Sequence, residues 1–164
     1  TDVVNLWGDP SKAKKELGWE ACRMGEETKP LWYKVPKTTA GALSGQLLGA
    51  FDLTGARLVG DPETEVRTVF LCEHVQGRGD YATIAKAAEA DLLIPLEIVD
   101  WTLTSYVRDA CQLGMPKAIL EMGHFNTEEL GMKYLAKLLP EVTGADVPVI
   151  FIKSGDTYSY IMRG

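Results

Sequence analysis

The sequence predicts an α/β domain: a mixed, partly parallel sheet with flanking helices, one lobe in extent. Three observations carry that expectation. Strand-forming and helix-forming segments alternate from Thr38 onward. Two runs, DLLIPLE (residues 91–97) and KAILEMG (residues 117–123), are short and almost wholly apolar, as strands buried on both faces of a parallel sheet are. At 164 residues the chain has room for one ordinary domain whose core needs no covalent staple.

Residues 1–36 read as a lead-in and residues 37–164 as the domain proper. In GDPSKAKKELGW, Asp9 is placed to cap and Pro10 to open a short helix that Gly18 stops. Between Cys22 and Pro36 only LWYKV has strand-forming content, suited to a sheet edge. Thr38 or Thr39 can cap a helix that carries Leu43, Leu47 and Leu48 on one face. ARLVG is a short strand and GDPET a turn; VRTVFLC (residues 66–72) is a stronger strand leading into the loop EHVQGRGD. Residues 81–89 predict an Ala-rich helix, residues 91–97 a buried strand, and VDWTLTSYVRDACQLG a helix ending at Gly114. The strand at residues 117–123 follows, then a helix over about residues 126–139. VPVIFI (residues 147–152) and DTYSYIM (residues 156–162) predict a closing hairpin around SGD, an antiparallel edge to the sheet.

Composition narrows the function classes. Asp and Glu outnumber Lys and Arg by 23 to 17, a formal charge of −6, so no broad basic surface for nucleic acid or an anionic membrane is expected. No apolar run approaches the roughly 20 residues needed to cross a bilayer. Cys22, Cys72 and Cys111 stand far apart, with no CxxC pair. That argues against a zinc ribbon, a redox dithiol and a secreted disulfide scaffold, and for reduced thiols in a cytoplasmic protein. The phosphate-binding GxxxxGK[ST] is absent, as is the dinucleotide fingerprint after the first strand, and Ser154 has no nucleophile elbow GxSxG around it.

In open α/β sheets, functional groups gather beyond the carboxyl ends of the parallel strands. Glu73 and His74 follow the first strong strand, Glu97 the second and His124 the third; both histidines of the chain fall there. Within GHFNTEELG, His124 and Glu128 lie four residues apart, on one face of a helix that has begun by His124. Imidazole and carboxylate at that spacing can hold one ion or bracket two, with zinc, manganese and iron all chemically reasonable. The same segment also reads as a helix start in which Asn126 or Thr127 is the cap and Glu128 and Glu129 favour the positive end. Glu97 is costly to bury without a partner or a cation, so it reads either as a ligand or base, or as a solvent-facing residue at the helix entrance. Asp91 and Asp100 read as strand-start and capping residues, and Arg78 as an anion contact or a loop charge.

From Leu58 onward the chain resembles the NGG-interacting-factor-three-like family, also known as dinuclear-metal-centre hexameric proteins or type-two GTP cyclohydrolase homologues. RLVGDPETEVRTVFLC is similar to the family's strand pair, and AEADLLIPLE to its strand ending in a threonine-glycine-glutamate triplet, with Pro95 and Leu96 replacing the first two. GHFNTEELGMKYLAKLL is similar to its metal helix and VPVIFIKSGDTYSYI to its closing strands, so the resemblance covers about residues 36–162. It implies an α/β protein that forms homo-oligomeric rings, hexamers, around paired metal sites. His124 and Glu128 match the family's C-terminal metal ligands, for a divalent zinc, manganese or iron ion. Glu97 matches the triplet's glutamate, with a catalytic role of orienting water or taking its proton. The implied activity is metal-dependent hydrolysis of a phosphoester or nucleotide-like small molecule. Residues 1–36 resemble only the tail of the family's N-terminal half, which would leave the site incomplete and makes a non-catalytic oligomeric scaffold or regulatory interaction protein the alternative.

Overall fold

A six-stranded mixed sheet organises the chain in the computed structural model, which describes residues 14–15, 18–24, 27–72, 75–76, 87–144 and 146–163. In chain order the elements are β1 (Glu20–Met24), β2 (Glu27–Thr39), α1 (Ala40–Phe51), β3 (Arg57–Val59), β4 (Glu65–Leu71) and β5 (Val75–Gln76). Then come β6 (Leu92–Ile94), β7 (Glu97–Ile98), a π-helical turn (Asp100–Thr104) running into α2 (Ser105–Gln112), β8 (Ala118–Glu121) and α3 (His124–Thr143). The strand order is β1-β2-β4-β6-β8-β3. β4, β6 and β8 are parallel, β2 and β3 flank them antiparallel, and β1 pairs antiparallel with β2 at the edge. This is the predicted fold class.

The apolar runs behave as expected of strands covered on both sides. Val69, Leu92 and Leu120 face one side, where α1 packs Leu43 and Leu47 against them. Phe70, Leu93 and Ile119 face the other, against Leu103 and Val107. α1 begins where the threonine pair predicts: the Thr39 hydroxyl accepts the Ala42 N–H at 3.2 Å. Gly18, at φ +69°, ends a turn by donating its N–H to the Lys14 carbonyl at 3.1 Å, as read from the sequence. The rest of the GDPSKAKKELGW helix, the loop with Glu73, His74 and Arg78, and all but Ala87–Glu89 of the 81–89 helix lie outside the described residues.

Asp91 pins the middle of the sheet. Its Oδ2 accepts the N–H groups of Arg67 and Thr68 at 3.0 and 2.9 Å, and its own N–H reaches the Thr68 carbonyl. Beside it the buried Lys117 donates its ammonium to the carbonyls of Ala88 and Ala90, and desolvation pulls that ammonium's pKa below the usual lysine range.

Four elements depart from expectation. LWYKV lies inside the sheet, since Trp32–Lys34 pair with Phe70–Thr68 while β1 forms the edge. The strand extends past Pro36 because the register shifts between Lys34 and Thr38, where a missing N–H costs no ladder bond. Asp100 caps nothing; it sits 3.5 Å from Arg57 as an ion pair. The last helix starts two residues early and runs through Pro140 to Thr143, with Gly123 as its N-cap. The closing hairpin does not form: residues 146–163 contain no strand. Among the described residues this segment pairs with no strand and is tied down through side chains instead.

Those ties are specific. Asp156 accepts the N–H and hydroxyl of Thr54 at 2.9 and 2.7 Å, the Tyr158 N–H and the Asn126 amide. The Thr54 hydroxyl is the largest of the effects that hold its carboxyl at about 2. Asn126 is 4% exposed, donates to the Met122 carbonyl and accepts from the N–H and hydroxyl of Thr157. The Tyr160 hydroxyl donates to the Gly55 carbonyl at 2.6 Å. Among the described residues no helix is long and apolar enough to cross a membrane.

Asp91→Ala leaves two strand N–H groups without an acceptor and is expected to cost about 2 kcal/mol in urea denaturation. Thr39→Ala, which loses one cap, should cost about 1 kcal/mol. Because the Asp156 pKa is depressed, its contribution is complete above the ordinary carboxylate value of 3.8 and is lost as the pH falls through about 2. The protection factors of the Thr54 and Tyr158 N–H groups, which Asp156 accepts, should therefore fall between pH 4 and pH 2, and Asp156→Ala should lack that protection already at pH 7.

Candidate functional site

The parallel strands aim their carboxyl ends at one edge of the sheet. The chain leaving β6 turns at the buried Pro95 and enters β7, which pairs in parallel with β5, so Glu97 stands opposite Val75. The chain leaving β8 turns at Gly123, φ +99°, straight into α3. Glycine is needed there twice over: the φ is left-handed, and a Cβ would stand 2.6 Å from the Tyr158 ring. His124 is thereby the first residue of α3. The first turn is steadied by the Thr127 hydroxyl, which donates to the carbonyls of Gly123 and His124 at 3.0 and 2.8 Å. Neither Thr127 nor Asn126 is the cap, which corrects that reading of the segment.

The structure brings the three expected residues together. His124 Nδ1 lies 3.1 Å from Glu97 Oε2, and Nε2 lies 3.1 Å from Glu128 Oε1. The imidazole is a quarter exposed and both carboxylates are about half exposed. Glu129 points elsewhere, accepting the Ser154 N–H at 2.6 Å. A neutral imidazole has one N–H and one lone pair, so facing a carboxylate on each side it satisfies only one of them; imidazolium satisfies both. The Glu97 hydrogen bond is accordingly the main effect raising the His124 pKa above 6.5, opposed by desolvation and reinforced by Glu128 and by the charge of both carboxylates.

A fourth carboxylate escaped the sequence reading. Glu121 ends β8, is 8% exposed, and accepts the guanidinium of Arg57 through Nε and Nη2. Its Oε1 also accepts the Ile98 N–H at 3.3 Å, so it grips the residue next to Glu97. The signal was present in KAILEMG, where one charge sits in an otherwise apolar strand and therefore needs a partner, with Arg57 available in ARLVG. Among the described residues no three His, Cys, Asp or Glu side chains converge as a set for one metal ion. The two ring nitrogens of His124 face outward on opposite sides, which keeps Glu97 and Glu128 apart. Cys22, Cys72 and Cys111 are free thiols; Cys72 is buried, and Cys111 donates to the Lys117 carbonyl at 2.9 Å.

Fold and site together define an open-sheet α/β protein with a carboxylate–imidazole–carboxylate group at the carboxyl ends of its parallel strands. The chain belongs to the Duf34/NIF3 (NGG1p interacting factor 3) family, which it matches over residues 2–157. That match takes in nearly all of the first 36 residues as well as the domain that follows. Solved structures share the fold. A protein named ybgI, of unknown function, superposes with a TM-score of 0.58 at 22% identity over 87% of this chain and 53% of its own. The Bacillus cereus protein related to NIF3 gives 0.55 at 22%, over 82% of this chain and 36% of its own. The Staphylococcus aureus hypothetical protein SA1388 gives 0.56 at 16%, over 79% and 36%. The chain thus spans between about a third and about half of the length of these structures. No curated protein sequence matches it.

The paired contacts of His124 set a titration. The imidazole is expected to titrate above 6.5 by NMR, and Glu97→Gln should lower its pKa further than Glu128→Gln does. Since the folded-state pKa is the raised one, the stabilisation is complete below pH 6.5 and is lost as the pH rises through the folded value.

Proposed function

We propose that the chain is a divalent-metal-binding protein with hydrolase activity on phosphoester or nucleotide-like small molecules, and that Glu97, His124 and Glu128 supply its part of the site. The observation that carries this reading is the single imidazole with a carboxylate 3.1 Å from each ring nitrogen. Metal-ligating histidines characteristically donate their second N–H to a carboxylate, which fixes the tautomer and the ring plane. In that arrangement His124 Nε2 and Glu128 hold the ion, and Glu97 accepts the Nδ1 proton. Imidazole nitrogen and carboxylate oxygen suit zinc, manganese or iron. The donor set fits in kind and falls short in number, so binding an ion requires further ligands besides these. A bound ion of this type supplies an activated water and a Lewis acid for the phosphoryl oxygen. Glu97 acts here as a positioning residue, with Glu121 holding the β7 backbone under it through Ile98.

A second reading, an oligomeric scaffold without catalysis, is favoured by the apolar side chains that α3 leaves at the surface, among them Phe125, Met132 and Val142. The two are separated by metal analysis of the purified chain by inductively coupled plasma mass spectrometry, after incubation with zinc, manganese or iron. Near-stoichiometric metal in the wild type and its loss in His124→Ala and Glu128→Ala support the first, and Glu97→Gln should weaken binding roughly 10- to 100-fold. A wild type that takes up none of the three ions overturns it in favour of the scaffold.

A further inference from the structure

A groove runs from the candidate site along α3, and its polar groups are gathered together. α3 forms one wall and residues 149–152 the other, around a volume of about 400 Å³, the size of a small-molecule site. Glu128, Glu129 and Ser154 are its polar lining; both glutamates stand near the start of α3, and Glu129 takes the Ser154 N–H at 2.6 Å. Further along, α3 contributes only apolar side chains, Met132, Leu135 and Leu139 among them, and the facing wall is VIFI. From Glu128 to Leu139 the helix rises roughly 16 Å. Lys133 and Lys137 lie on the same helix, yet among the described residues no basic side chain lines the groove.

Glu128 belongs to both places. Its Oε1 lies 3.1 Å from His124 Nε2 while its side chain forms part of the groove wall. Glu97, on the Nδ1 side of the ring, does not line the groove. The groove therefore opens on the Nε2 side of the imidazole, the side that holds the ion in the function proposed above.

We propose that this groove receives the alcohol part of the substrate, and that the substrate is the phosphomonoester of an apolar, chain-like alcohol. The inference rests on the metal reading and narrows it. The wall side chains beyond Glu128 and Glu129 offer no hydrogen bond to a sugar or a base, so polar groups of a nucleotide would lose water there without replacement. A long trough with aliphatic walls suits an extended hydrocarbon. The groove itself cannot seat the phosphate, because its polar end carries two carboxylates and no cation. An ion at His124 and Glu128 turns that repulsion into attraction and fixes which end of the substrate enters the site.

The test uses n-octanol and n-octyl phosphate as probes, with methyl NMR locating the contact and titration calorimetry measuring affinity. In the chain stripped of metal by a chelator, octanol is expected to shift the methyl resonances of Met132, Leu139 and Val149, and octyl phosphate to bind more weakly than octanol. Adding the ion that the chain takes up should reverse that order, with octyl phosphate gaining roughly 10-fold or more over octanol. Met132 and Tyr134 are both exposed on α3, and only Met132 lines the groove. Met132→Glu should weaken octanol binding about 10-fold or more, since its charge must be desolvated, and Tyr134→Glu should leave it unchanged. Circular dichroism is expected to show both variants folded. Absence of octanol shifts at these methyls overturns the proposal and leaves the metal reading standing. So does a change in them that follows protein concentration instead of octanol, which assigns the face to a contact between chains. Octanol binding without the reversal in the metal-loaded chain overturns the substrate class alone. A chain that takes up none of the three ions overturns both readings.

Discussion

The buried carboxylate of Glu121 organises the functional end of this molecule. It closes β8, and a lone charge at that position costs several kcal/mol unless it is met by donors. Arg57 of β3 and the Ile98 N–H of β7 are those donors. One side chain thereby attaches an edge strand to the parallel core and fixes the short strand that bears Glu97. Arg57 extends the connection to Asp100 in the π-helical turn, so the segment between β7 and α2 is held from the same point. Three residues after Glu121 the chain reaches His124, which meets Glu97 across the gap that the Glu121–Ile98 bond has set. The imidazole and its partner carboxylate are thus placed by two strands that converge on one buried anion.

Much of this was visible in the residue order, and what was visible shares a property. DLLIPLE and KAILEMG read as central strands because burial on both faces removes the polar alternation. Thr39, Gly18 and the i, i+4 relation of His124 and Glu128 are likewise local, decided by neighbours within four residues. Nonlocal features escaped. A strand is a property of a pair: VPVIFI has the composition of one, yet among the described residues it pairs with none. LWYKV was assigned to an edge because nothing in its surroundings announces that β1 will cover it. Asn126 was read as a cap because small polar residues near a helix start usually are. Its real partners, Asp156 and Thr157, lie about thirty residues away.

The candidate site divides along the same line. Glu97, His124 and Glu128 could each be named from position at a strand end or from helical spacing. Their contact could not, because 27 residues separate Glu97 from His124. Glu121 was missed for a different reason. It sits inside an apolar run whose pattern marks a strand without marking a site, although a charge embedded in a two-sided strand is the residue that most needs a partner.

The helix that begins with the imidazole also bears on how the chain meets its surroundings. α3 has one well-buried side chain, Asn126, and the rest of its length presents Phe125, Met132 and Leu139 to a groove of about 400 Å³ walled on its far side by residues 149–152. Glu128 lines that groove while its carboxylate faces His124, and Glu129 beside it holds Ser154. The first turn of α3 therefore touches the site on one side and anchors the unpaired segment on the other. That adjacency places the apolar groove next to the residues with the clearest chemistry.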